Sequence, residues 1–220
     1  MKLNKITSAV LVAASLMAGA AHADTLVYDL SKIDSTKVDL VNVLMTFQGF
    51  NPAKGTLTGV SLDIYSEVDA TVTLTNKNTT DRTLNVSVPA SLKLVAPGAT
   101  LSTSATLLNT ALSVAGKTSA GNGVATESEK YTLHASTNYS GADLALFNTA
   151  GTLSSALSVA ASTTLNEDRV KAVYSNFANG YGHVTYTFTA APVPEPETYG
   201  MLLAGLAMLG FIAKRNKRSA

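Results

Sequence analysis

The chain of 220 residues contains no cysteine and no tryptophan. Without thiols neither a disulfide framework nor a thiolate metal site can form, so stability has to come from a packed core. Aromatic residues are sparse, 8 Tyr and 6 Phe. That scarcity weighs against a sugar-binding face, which stacks exposed rings on pyranoses. Charged residues make up only 14% of the chain, and the formal net charge of +1 hides an asymmetry. Residues 24–193 hold 10 Lys and Arg against 13 Asp and Glu, a net of −3, while basic residues gather at the two ends. A mildly acidic body has no electrostatic footprint for nucleic acid. Also missing are a Gly-x-Ser-x-Gly nucleophile elbow, an Asp-x-Asp-x-Asp-Gly calcium loop, a phosphate-cradling glycine loop and any exact internal repeat.

What is present begins with Lys2 and Lys5, followed by the uncharged segment 6–21 and by Ala21-His22-Ala23. A basic start, an apolar stretch and an Ala-x-Ala site make a secretory signal, with cleavage by signal peptidase expected between Ala23 and Asp24. Read instead as a buried helix, the same segment would need those three features to coincide by chance.

The other end reads "VPEPETYGMLLAGLAMLGFIAKRNKRSA", residues 193–220. Positions 198–213 are uncharged, which as helix rise about 24 Å against an apolar bilayer core of about 30 Å. Tyr199 suits one interface, and Lys214 and Arg215 can snorkel at the other. The basic residues Lys214, Arg215, Lys217 and Arg218 should hold that end in the cytoplasm, with the body across the inner membrane. Gly200, Gly205 and Gly210 recur every five residues, which does not make a Gly-x-x-x-Gly dimerisation face. Ahead of the apolar run, Pro194 and Pro196 flank Glu195 and hold the chain extended, as a ribbon an enzyme can grip or as a stiff linker.

Between the ends, period-two alternation dominates. Val60, Leu62 and Ile64 alternate with Ser61 and Asp63. Leu84, Val86 and Val88 alternate with Thr83, Asn85 and Ser87, and Val184, Tyr186 and Phe188 with Thr185 and Thr187. Val72 with Leu74, and Tyr131 with Leu133, extend the pattern. Turn residues separate the runs at Asn76-Lys77-Asn78, Pro97-Gly98 and Gly121-Asn122-Gly123. Stretches 101–115 and 151–164 are rich in Leu, Ala, Ser and Thr, and at this hydroxyl density they read as strands. The expectation is an all-β antiparallel β-sandwich over 24–192, flanked by a signal peptide at 1–23 and by a segment at 193–220 ending in a single transmembrane helix.

The ordered triplet of Pro-Glu-Pro, apolar span and basic terminus resembles the PEP-CTERM sorting signal of exported proteins in Gram-negative bacteria, which the membrane enzyme exosortase recognises. That resemblance implies that Pro194, Glu195 and Pro196 are the recognition element and that the helix and basic tail are processed. It also implies a cell-surface or extracellular-matrix destination associated with exopolysaccharide or biofilm. The body is similar to the domain called choice-of-anchor E in "FNPAKGTLTGVSLDI" (50–64), "ADLALFNTAGTLSSALSVAAS" (142–162) and "GHVTYTFTAAPVPEPE" (182–197). It departs from the family's Gly-Thr-Gly turn at Asn148-Thr149-Ala150-Gly151-Thr152. That family is defined by its anchor and implies no activity.

Candidate chemistry in the body is thin. His134 lies on the strand face opposite Tyr131 and Leu133, where an exposed or cross-strand-paired imidazole is expected. His183 starts the last strand with no Asp or Glu near it in sequence. The acidic groups Asp63, Glu67 and Asp69, Glu127 and Glu129, and Glu167 and Asp168 before Arg169 read as solvated charges guarding strand edges. Neither catalytic nor metal-binding residues are assigned, and no cofactor is expected. The functional expectation is a non-catalytic exported surface protein. The alternative is a secreted carbohydrate-binding module or enzyme, for which Tyr174, Phe177 and Tyr181 would be the exposed rings.

Overall fold

The computed structural model describes residues 23–165, 169–191 and 196–216. Residues 23–189 form one compact unit. Its strands are β1 (Ala23–Asp29), β2 (Ile33–Lys37), β3 (Leu40–Gln48), β4 (Gly55–Asn76), β5 (Arg82–Ala96), β6 (Ala99–Val114), β7 (Gly123–Tyr139), β8 (Thr152–Ala161), β9 (Thr164–Leu165) and β10 (Val170–Ala190). They make two antiparallel sheets. The first runs β1-β10-β4-β7, with β2 also on β10, and the second runs β3-β8-β5-β6, with β9 also on β5.

The alternation seen in sequence builds this sandwich directly. Along β4, Val60, Leu62, Ile64, Ser66, Val68, Ala70, Val72 and Leu74 are buried, whereas the residues alternating with them face outward. Leu84, Val86 and Val88 do the same on β5, as do Val184, Tyr186 and Phe188 on β10. The stretches 101–115 and 151–164 are strand, as their hydroxyl content requires, for they supply β6 and β8. One reading needs correction. Leu133 is buried, but Tyr131, on the same side of β7, is 46% exposed. β7 is an edge strand, and its far half is left uncovered, so Glu127 and Glu129 are also exposed there. Charges turned inward on an edge oppose pairing with a second sheet.

Aromatic residues fill one part of the core. Phe50 touches Tyr186 and Phe188, and Phe147 touches Phe47, Tyr139 and Tyr186. Local chemistry brings Phe50 there. Asn51 accepts from the Ala53 backbone at 3.0 Å and caps the 3₁₀ turn Pro52–Lys54, while the Phe50 amide bonds to the Phe147 carbonyl at 2.8 Å. Beneath this cluster Tyr186 donates its hydroxyl to the Gln48 carbonyl at 2.9 Å. Burial pushes that hydroxyl's pKa far above its ordinary value, with the neighbouring Tyr28 adding to the effect.

The two sheets are also tied at one side. Ser31, between β1 and β2, donates its amide to the Thr46 carbonyl at 2.7 Å and accepts the Thr46 amide on its hydroxyl at 2.8 Å. This covers part of the free edge of β3, the position at which sheets otherwise pair with other chains. Pro89 sits in central β5 beside a register shift against β6, where a strand tolerates a missing amide.

Helix α1 (Pro196–Asn216) occupies the expected apolar stretch, and its side chains from Met201 to Leu209 are exposed. It extends beyond the uncharged run 198–213 on both sides, over 21 residues. Among the described residues no helix is long and apolar enough to cross a membrane. Sixteen uncharged positions rise only about 24 Å, and the remaining turns carry polar or charged residues that do not favour the bilayer interior.

Candidate functional site

The outer face of the first sheet carries the densest group of polar and aromatic side chains in the body. On β4 the outward positions are Ser61, Asp63, Tyr65 and Glu67. Register places His134 of β7 opposite Tyr65, and Lys130 opposite Asp69. Strand β10, on the other flank of β4, contributes Tyr181 and His183, with Asp29 of β1 opposite His183. Gly182 permits this arrangement, since a Cβ there would collide with the backbone carbonyl of Asp63.

Asp63 is the hub. Its Oδ1 lies 3.1 Å from His134 Nε2 and its Oδ2 lies 3.6 Å from His183 Nε2, while Ser61 donates its hydroxyl to Oδ2 at 3.2 Å. The carboxylate is 18% exposed against 43% and 38% for the two imidazoles, so it sits beneath them and its oxygens are occupied. Tyr65 stacks on His134 with ring centres 4.3 Å apart, and on Tyr181 at 5.4 Å. The planes are within 11° of parallel in both pairs. These rings stand as a stack, with the faces of Tyr65 spent on its neighbours.

A second polar link lies one step along. Asn179, at a register shift in β10 between Ala178 and Gly180, accepts the Glu67 amide at 2.9 Å and donates to the Glu67 carboxylate at 3.1 Å. Lys130 reaches the same carboxylate at 3.2 Å. The Lys130 bond first, then Asn179, holds the Glu67 pKa below the ordinary carboxylate value. Glu67 is solvent-exposed in its charged part, so the pair is screened and contributes little to stability.

The chemistry available is recognition by hydrogen bonds. In a catalytic triad the imidazole accepts the proton of the nucleophile, whereas here the Ser61 hydroxyl points at the carboxylate. Among the described residues no group of three or more His, Asp or Glu is arranged to hold a metal ion. An open cleft of about 340 Å³ also exists between the start of β4 and a second 3₁₀ turn, Gly141–Leu146, lined by Gly55, Thr56, Leu57, Gly141, Ala142, Leu144, Ala145 and Asn148. It has no titratable side chain in its lining.

The sequence reading missed this site in part. His134 is paired across strands as expected, but His183, which has no acidic neighbour in sequence, finds Asp63 through the fold. The three rings expected to act together do not do so. Tyr181 stacks on Tyr65, and among the described residues no ring contact joins it to Phe177 or Tyr174, which are exposed by 42% and 36% on the first half of β10. Burial alternates along β10 from Asn176 onward, so Phe177 and Tyr181 share a face four residues apart, whereas Tyr174 has the opposite parity. Of the acidic groups, Asp63 is engaged and Glu127 and Glu129 are exposed, while Glu167 and Asp168 lie outside the described residues. Of the processing residues, Ala23 and Asp24 open β1, Pro196 opens α1, and Lys214 and Arg215 fall in its last turn. Ala21, Pro194, Glu195, Lys217 and Arg218 lie outside the described residues.

Comparison with known proteins bears on the tail. Residues 192–218 match the PEP-CTERM protein-sorting motif. The match covers the tail alone, so it leaves the similarity of the body to choice-of-anchor E as a resemblance. No curated protein matches the chain. Among solved structures, the infectious bursal disease virus Gt strain is 10% identical with a TM-score of 0.13, covering 84% of this chain and 47% of that one. The T13 viral particle of the same virus is 10% identical with a TM-score of 0.16, covering 86% and 48%. The chain thus spans about half the length of these structures, and at such scores the likeness carries nothing about fold or role. The tail is a PEP-CTERM motif, the mark of a protein exported and sorted by exosortase through a membrane-associated C-terminal signal.

Proposed function

We propose that residues 24–192 are a non-catalytic surface or matrix body, released from its leader by signal peptidase and delivered by an exosortase that reads Pro194, Glu195 and Pro196. Its partner in this reading is exopolysaccharide, met by sheet faces rich in hydroxyls and amides. The observation that carries the reading is the sorting motif at 192–218. Support comes from the outer face of the second sheet, where Thr83, Ser87 and Ser91 of β5 lie opposite Ser113, Asn109 and Ser104 of β6. Such groups bond to sugar hydroxyls without a formed pocket.

The alternative of an enzyme has its best candidate in Asp63, His134 and His183. With the Ser61 hydroxyl bonded to the carboxylate, that group lacks an activated nucleophile.

The test is the double change Pro194→Ala with Glu195→Ala, followed by cell fractionation and mass measurement. Exosortase reading predicts full-length protein held in the inner membrane, because recognition needs the extended acidic ribbon and membrane association does not. Normal release of a shortened product would show that neither residue is read.

A further inference from the structure

The two ends of the body meet in one ladder. Among the described residues β1 pairs with β10 alone, in the register Ala23↔Thr189, Asp24↔Phe188, Leu26↔Tyr186 and Asp29↔His183. Tyr28 adds an edge contact with Tyr186, ring centres 6.1 Å apart, and the Leu30 amide bonds to the Gly182 carbonyl at 2.9 Å. The bond between Ala23 and Asp24 is therefore a rung of the finished sheet.

Resting on the reading of residues 1–23 as a leader, we propose that this bond can be cut only before β1 zips onto β10, so that the fold itself sets the order of export events. A peptidase binds its substrate as an isolated extended strand, and a strand already paired along one edge has to be peeled off first. β10 is the last strand among the described residues, and it ends at Ala190, four residues before Pro194. A chain emerging N-terminus first leaves the leader bond open until the sorting signal follows. Hydrolysis adds one water across the bond, leaving a carboxylate on Ala23 and an amine on Asp24. The new first residue then locks into the ladder, and a chain that folds uncut keeps its leader.

The test uses the full chain with its leader, in detergent micelles, with signal peptidase and mass spectrometry as the readout. One sample is folded before the enzyme is added, and another meets the enzyme directly from denaturant. A third carries Leu26→Pro with Val27→Pro and is folded first. Adjacent residues alternate between bonding and non-bonding positions, so one of the two prolines removes a ladder amide whatever the register. The prefolded chain should be cut at Ala23–Asp24 about tenfold more slowly, or slower still, than the chain taken from denaturant, and the proline variant should recover most of the difference. Equal rates for the prefolded and freshly diluted chains would overturn the proposal and leave the leader reading intact. Failure of the peptidase to cut any of the three would overturn the leader reading, and the proposal with it.

Discussion

The two sheets share a core and differ on their outer faces. On the second sheet the outward row of β5 is Thr83, Asn85, Ser87, Pro89, Ser91, Lys93 and Val95, which has a single charge and no ring. On the first, β4, β7 and β10 bring Asp63, Tyr65, His134, Tyr181 and His183 into contact, with Glu67 and Lys130 paired one step along. Both faces are free of the packing demands of the core, so composition there is a choice that folding does not force. A repeated hydroxyl surface is what broad, weak association needs, whereas a connected network around one carboxylate is what defines a place.

The comparison can be broken most forcefully at Gly182. Gly182→Ala puts a methyl group against the Asp63 carbonyl and pushes β10 away from β4. The expected loss is about 1–3 kcal/mol in urea unfolding. Ring-stack signals of Tyr65 and Tyr181 in near-ultraviolet circular dichroism should collapse with it. An unchanged spectrum would mean that the close strand approach does not build the site.

Tyrosines on the two sides of β10 offer a second contrast. Tyr186→Phe leaves the Gln48 carbonyl without its donor, for an expected loss of about 1–2 kcal/mol at neutral pH. The pH dependence has a fixed sign. Because the Tyr186 pKa is raised above its ordinary 10.0, the stabilisation it reports is complete below that value and is lost as pH rises beyond it. Urea midpoints from pH 8 to 11.5 should therefore fall more steeply in the parent chain than in Tyr186→Phe.

The smallest effect compares the two outer faces directly. Tyr65→Ala removes three stacked contacts, to His134, Tyr181 and His183, and should lower stability by about 0.5–1.5 kcal/mol. Ser91→Ala, at the centre of the other outer face, should fall within about 0.5 kcal/mol of the parent. Equal losses would mean that the stack is no more than surface decoration.

Much of this was legible in sequence, for reasons particular residues make plain. Val60, Leu62 and Ile64 alternate with polar residues because one face of β4 is buried, and that periodicity is written in neighbouring positions. The tail was legible because its three parts follow one another within 193–220. Tyr131 misled because alternation reports which side a residue takes and not whether anything covers that side. Helix α1 was legible as well, for its 21 residues take in the whole uncharged run 198–213 and both flanks. The trio Tyr174, Phe177 and Tyr181 was grouped by nearness in the chain, although the odd spacing from 174 to 177 puts Tyr174 on the other parity of β10.

What the sequence determined by itself is local: which segments are strands, which faces they bury, and which ends carry signals for export. These follow from short-range periodicity and from contiguous motifs, each read over fewer than about thirty residues. Tertiary structure alone decided that Asp63 and His134, 71 positions apart, share a hydrogen bond and that His183 joins them. It alone decided that β1 closes on β10. Strand order and register are set by how two buried faces pack together over the whole body, and no window of neighbouring residues contains that information.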